Sequence, residues 1–137
     1  MPRRKHRIIV DTNLWISFLL TKGASKLDQL FAQVGLTLLF SQELLEEFIA
    51  VAQRPKFKKY FSLVDLQDLL VQIEAKAEFI AVTSAVDICR DAKDNFLLAL
   101  ATDGRATHLL TGDKDLLVLN PLGKTRILTI AEYVSNL

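Results

Sequence analysis

Short apolar runs alternate with longer amphipathic segments along nearly the whole chain, and that order leaves few folds open. Residues 8–10 (IIV) form a β-branched run closed by Asp11 and read as a buried strand. Residues 12–20 have helical character, ended by Lys22 and Gly23. Ser25 stands as a cap before a second helix with Leu27, Leu30, Phe31 and Val34 on its apolar side, stopped at Gly35. Residues 36–40 read as a second buried strand. Ser41 caps a helix running to about Gln53, with Pro55 beyond its end. Residues 62–76 are amphipathic, with Leu63, Leu66, Leu69, Leu70 and Ile73 together on one side. Residues 79–82 are expected as a third strand. Asp91 to Asp94 then open an apolar helix over 96–101. Residues 107–111 and 126–128 read as further strands, and 131–135 as a closing helix. Strands alternating with helices imply βαβ units and a parallel sheet covered on both faces. One three-layer α/β/α domain over residues 1–137 is therefore expected, without internal repeat or linker.

Several function classes are excluded or weakened at once. The 137 residues carry 17 Lys plus Arg against 16 Asp plus Glu, so any nucleic-acid contact must come from local patches rather than a chain-wide field. The lone Cys89 forms no internal disulfide, which favours a reducing compartment. Residues 1–7 are basic and precede an apolar run, as in a signal peptide, but Asp11 and Asn13 break that run. No apolar stretch approaches the ~20 residues that a spanning helix needs. A cytoplasmic protein without membrane contact is expected. Residues 1–7 read as a mobile, solvated start, with a nucleic-acid arm as the alternative.

In open parallel sheets the functional crevice lies beyond the carboxyl ends of the strands. Asp11 follows the first strand, and Asp113 follows the strand ending at Thr111, with Gly112 expected to give the turn unusual dihedral freedom. In the helix after Ser41 the apolar stripe is Leu44, Leu45, Phe48 and Val51. At ~100° per residue, Glu43 and Glu46 point to solvent, whereas Glu47 borders the stripe and leans toward the sheet edge. Asp91 and Asp94 precede a central helix; one suffices as its cap, Asp91 by preference, which leaves Asp94 for chemistry. Asp115 is either a cap for the residues after it or an outer ligand. Clustered carboxylates with no histidine or thiolate spacing suit Mg²⁺ or Mn²⁺, and such ions point to phosphodiester chemistry. His6 and His108 have no metal-ligand spacing and read as structural. Arg54, Lys56, Lys58 and Lys59 interleave with Phe57, Tyr60 and Phe61, a pattern that fits single-stranded RNA or, alternatively, a solvated helix end. Trp15 and Phe18 read as core or subunit-contact residues.

Four blocks in order resemble PIN-domain nucleases: residues 8–17 (IIVDTNLWIS), 41–48 (SQELLEEF) with 54–57 (RPKF), 91–101 (DAKDNFLLALA) and 111–117 (TGDKDLL). The second block is similar to that of a VapC-like branch of toxin–antitoxin toxins. The resemblance implies an α/β/α sandwich with a parallel sheet of about five strands and a Mg²⁺- or Mn²⁺-dependent endoribonuclease. It places the family's four acids on Asp11, Glu47, Asp94 and Asp113, with Asn13 and Thr111 orienting ligands or waters. It also implies an RNA substrate, a cognate antitoxin and a possible homodimer. The departures, Arg3 to Arg7 and Ile130, are peripheral. A non-catalytic PIN-type module that binds RNA or protein is the main alternative. A HAD-like phosphatase expects a second aspartate where Asn13 stands.

Overall fold

The computed structural model describes residues 5–21 and 25–137. Five strands, β1 (His6–Val10), β2 (Leu36–Phe40), β3 (Ala77–Phe79), β4 (His108–Leu110) and β5 (Arg126–Leu128), form one parallel sheet in the order β3-β2-β1-β4-β5. The helices are α1 (Thr12–Thr21), α2 (Ser25–Phe31), α3 (Gln42–Ala52), α4 (Leu63–Glu74), α5 (Asn95–Asp103), α6 (Lys114–Leu117) and α7 (Ile130–Ser135). They cover both sides of the sheet, as the βαβ pattern requires. The chain builds outward from β1 through β2 to β3, then returns to place β4 on the other side of β1. This reversal makes the β1–β4 boundary a topological switch point, where the loops leaving the two strands diverge and open a crevice.

The apolar runs form the central layer. Ile8, Ile9, Leu38, Leu39, Leu109 and Leu110 have no solvent exposure, as strands covered on both faces require. Trp15 lies fully buried in α1 and meets the rings of Phe18, Phe31, Phe40 and Phe48 at centroid distances of 5.8–6.2 Å. This cluster ties α1 to α2, β2 and α3, and so fixes the two helices that carry Thr12 and Glu47. Ser41 caps α3 by accepting from Leu44 N, and Ser62 with Asp65 forms a reciprocal cap on α4.

Several expectations are corrected. β1 starts at His6, two residues before the β-branched run, because Arg7 is anchored by Gly104 O at 2.9 Å and by a two-pronged ion pair with Glu78. β3 covers Ala77–Phe79 rather than 79–82, pairing with Leu38, Leu39 and Phe40 of β2. Val34 lies beyond the end of α2 and is 68% exposed, and Gly35 supplies the turn with φ 84°. Leu63, the first residue of α4, is 61% exposed because the buried stripe runs through Leu66, Leu69 and Ile73. Gly112 needs no glycine-only backbone, and a Cβ there would meet nothing within 4 Å. The expected stop at Lys22 and Gly23 and the first four residues of the basic start lie outside the described residues. Among the described residues no helix is long and apolar enough to cross a membrane.

Candidate active site

Asp11 leaves β1 at the switch point and begins α1, its carbonyl accepting from Leu14 N at 3.0 Å and Trp15 N at 3.2 Å. The residue is 8% exposed, and its carboxylate is held by Thr111, whose hydroxyl donates to Oδ2 at 2.8 Å. The backbone N–H of Asn13 also donates to it. Burial pushes the Asp11 carboxyl above its ordinary value, the two hydrogen bonds oppose that rise, and the negative charges of Asp113 and Glu47 add to it. Asp11 thus shares one electrostatic neighbourhood with two acids from distant parts of the chain.

Asp113 follows β4 and caps α6. Its Oδ1 accepts from Asp115 N at 2.9 Å, and its own N–H donates to Thr111 Oγ1 at 3.0 Å. Thr111 therefore joins Asp11 and Asp113 through one hydroxyl. A cleft of about 440 Å³ opens between the two acids, lined by Asn13, Leu14, Ser17 and Gly112 as well. Glu47 projects from the exposed side of α3 and accepts from Thr12 Oγ1 at 2.8 Å. Glu43 and Glu46 are exposed, and Glu46 pairs with Gln42 on its own helix.

Asp94 sits in the turn that leads into α5. Its Oδ2 is buried and has no hydrogen-bond partner. Burial, contact with the Asp113 carboxyl, and the charges of Asp113, Asp11 and Asp91 push its pKa up to about 7. Ionising Asp94 beside Asp113 costs repulsion energy, which a proton or a cation between the two carboxyls relieves. Asp91 caps the turn before α5 by accepting from Lys93 N at 3.1 Å. Asp115 is not the cap of α6; Asp113 fills that place, and the Asp115 carbonyl takes a long contact of 3.7 Å from the Cys89 thiol.

The donor chemistry fits a hard divalent cation. Asp94 and Asp113 present carboxylate oxygens, one of them buried and unpartnered, and neither histidine belongs to the cluster. The acids are nonetheless not drawn into one cage: among the described residues no three His, Cys, Asp or Glu side chains stand close enough to hold an ion together. Mg²⁺ asks for less than a cage, since it is commonly bound by one or two carboxylates and keeps several waters.

Thr12 is the residue that sequence reasoning missed. Its position directly after Asp11 was the available signal, but its partner Glu47 lies 35 residues away. Asn13 reaches Asp11 through its backbone, while its exposed side chain lines the cleft. Arg54, Lys56, Lys58 and Lys59 are all exposed; Lys56 lies over Phe57 and Lys59 over Tyr60, at 5.1 and 5.3 Å from the ring centroids. Phe61 is buried, so of the three aromatics Tyr60 is the one open to solvent. Trp15 and Phe18 are core residues. His108 is buried, with its ring against Thr107 Oγ1 at 2.8 Å, and burial holds its pKa down to about 4.

Compared with the profiles of known protein families, residues 7–115 match the PIN domain. No curated protein and no solved structure matches the chain.

Proposed function

The chain belongs to the PIN-domain family, whose members are generally metal-dependent nucleases, and we propose that it is a Mg²⁺- or Mn²⁺-dependent endoribonuclease working at the β1–β4 crevice. The observation that supports this most is the Asp94–Asp113 pair, two carboxyls in contact with one Asp94 oxygen buried. In this reading Asp94 and Asp113 are direct ligands. Asp11 completes the site, aligned by Thr111, and Glu47 is oriented by Thr12. A bound divalent ion would lower the pKa of an attacking water and offset the charge of the phosphodiester. The chain's own part is to hold Asp11 and Asp113 at the cleft before substrate arrives. Arg54, Lys56, Lys58 and Lys59 offer phosphate contacts and Tyr60 an exposed ring for a base.

The test is cleavage of mixed-sequence single-stranded RNA with Mg²⁺ or Mn²⁺ against EDTA. Wild-type protein cleaves only with metal, and Asp11→Asn and Asp113→Asn lose that activity while keeping a cooperative thermal transition. Undiminished metal-dependent cleavage by either folded variant refutes the assignment.

Within this function the chain fits the toxin of a toxin–antitoxin pair, through its similarity to that branch. Leu63, Val64 and Val71 leave apolar side chains in solvent on α4, a surface suited to an antitoxin or a second copy of the chain. Growth arrest on expression, relieved by co-expression of a neighbouring gene product, tests this role; unaffected growth counts against it. A second reading has one observation behind it: with no three-ligand cage among the described residues, a PIN-type module that binds RNA or protein without cleaving needs no change in the acids. Metal-independent binding with no cleavage of any RNA would select it.

A further inference from the structure

The sheet edge opposite the acids carries the reverse charge. A cavity of about 490 Å³ opens at the amino ends of β1, β4 and β5, with Lys5, Lys124 and Arg126 on its rim and His6, His108 and Tyr133 in its wall. A second cavity, of about 670 Å³, adjoins it through Thr107 and Lys124 and adds Arg105. Among the described residues no Asp or Glu side chain lines either cavity. Among the same residues Lys5, Arg105, Lys124 and Arg126 make no ion pair within 4.0 Å, although Arg126 lies near enough to Glu132 to stabilise its negative form. All four cations are exposed, and they come from the start of the chain, the loop before β4 and the turn into β5.

The wall of the first cavity is built rather than incidental. The His6 ring lies 4.8 Å from that of His108 and 5.6 Å from that of Tyr133, and His6 Nδ1 meets the Tyr133 hydroxyl at 2.5 Å. That hydroxyl also reaches Gln33 Oε1 at 3.0 Å. The Thr107 hydroxyl donates to Arg7 O at 3.1 Å, so its contact with His108 takes the ring's Nδ1–H as donor. The wall mixes polar and apolar groups and the rim is cationic, so the ligand class is an anion with several acceptor oxygens. The two cavities share Thr107 and Lys124 in their linings, which spreads the four cations along adjoining hollows rather than around one pocket, and Tyr133, 2% exposed, offers no ring on which to stack a base. Backbone recognition without base reading is what such an arrangement provides.

We propose that these adjoining hollows form a second nucleic-acid contact, taking the phosphate backbone of single-stranded RNA through Lys5, Arg105, Lys124 and Arg126 on the sheet edge opposite the cleaving site. The assignment to RNA rests on the nuclease reading, and the site tests separately from it.

The experiment uses the full chain in EDTA, where no metal-dependent cleavage intervenes. Binding of a labelled 12-nucleotide oligouridylate is followed by fluorescence anisotropy across a salt series, and the imidazole resonances of His6 and His108 by NMR. Wild-type protein binds, and the oligonucleotide shifts both histidines. Lys124→Glu with Arg126→Glu lowers affinity roughly tenfold, flattens the log K against log salt slope by ~1.4 for two lost phosphate contacts, and abolishes the histidine shifts. Lys124→Ala with Arg126→Ala, a milder change, gives the same direction if the double reversal perturbs folding. Histidine shifts with inorganic pyrophosphate but not with the oligonucleotide make this a small-anion site and overturn the RNA assignment. Histidines that respond to neither overturn the site itself. Metal-dependent cleavage by a protein whose histidines ignore RNA sinks this second contact alone; intact histidine shifts without cleavage sink the nuclease reading alone.

Discussion

Replacing Asp94 with asparagine should stabilise the metal-free protein while weakening its hold on metal. The wild-type carboxyl, pushed up to about 7 beside Asp113, carries a repulsive cost once ionised. Raising an aspartate from its ordinary 3.8 to about 7 corresponds at most to about 4 kcal/mol. Most of the group is solvated although Oδ2 is buried, so screening reduces this to roughly 1–2 kcal/mol. The sign follows from linkage. Below about pH 4 the carboxyl is protonated in both folded and unfolded states and costs nothing. As pH rises from about 4 to 7 the unfolded chain loses its proton first, so wild-type stability falls, and above 7 the loss is complete. The asparagine side chain has no such proton to lose, and its amide can donate to Asp113. In EDTA, Asp94→Asn should therefore raise Tm by ~3–8 °C at pH 8 and by less than a third of that at pH 4.5. Added Mn²⁺ should raise the wild-type Tm by mass action and the variant's by much less. Thermal unfolding by circular dichroism at both pH values measures all of this. An unchanged or lower Tm at pH 8, or an offset independent of pH, refutes the repulsion on which the metal assignment rests.

Three other outcomes are expected. Metal-dependent cleavage should fall about tenfold per pH unit below 7, because a cation must displace the Asp94 proton; a flat profile from pH 5 to 8 contradicts this. Thr12→Val should cut cleavage roughly tenfold while costing less than ~1.5 kcal/mol of stability, since it frees Glu47 without opening the core; unchanged kcat/KM would remove Glu47 from the site. Trp15→Ala should cost ~3–5 kcal/mol by chemical denaturation, because it empties the centre of a five-ring cluster; a loss under 1 kcal/mol would mean that the cluster does not brace α1.

Central strands such as 8–10 and 36–40 were legible because both faces are covered, so their residues are apolar without alternation. β3 was misplaced by two residues for the opposite reason. It is a three-residue edge strand whose Glu78 and Phe79 are exposed, and its place is set by pairing with β2 rather than by its own composition. Glu78 even anchors Arg7, a tertiary contact that extends β1 and that no local pattern shows. The acids were legible for topological reasons: a parallel sheet gathers all strand ends at one edge, so Asp11 and Asp113 meet whatever lies between them. The side-chain partners were less so. Thr12 and Glu47, or Lys5 and Arg126, are linked only once the chain is folded, and spacing along the sequence carries no trace of them.

Crystals grown with Mn²⁺ and measured for anomalous scattering decide whether these carboxylates hold a metal ion. A peak is expected at the β1–β4 crevice, bonded to carboxylate oxygens of Asp94 and Asp113 with Asp11 in direct or water-mediated contact. A peak bonded to other residues, or a well-ordered crevice with no peak at saturating Mn²⁺, would contradict the metal assignment.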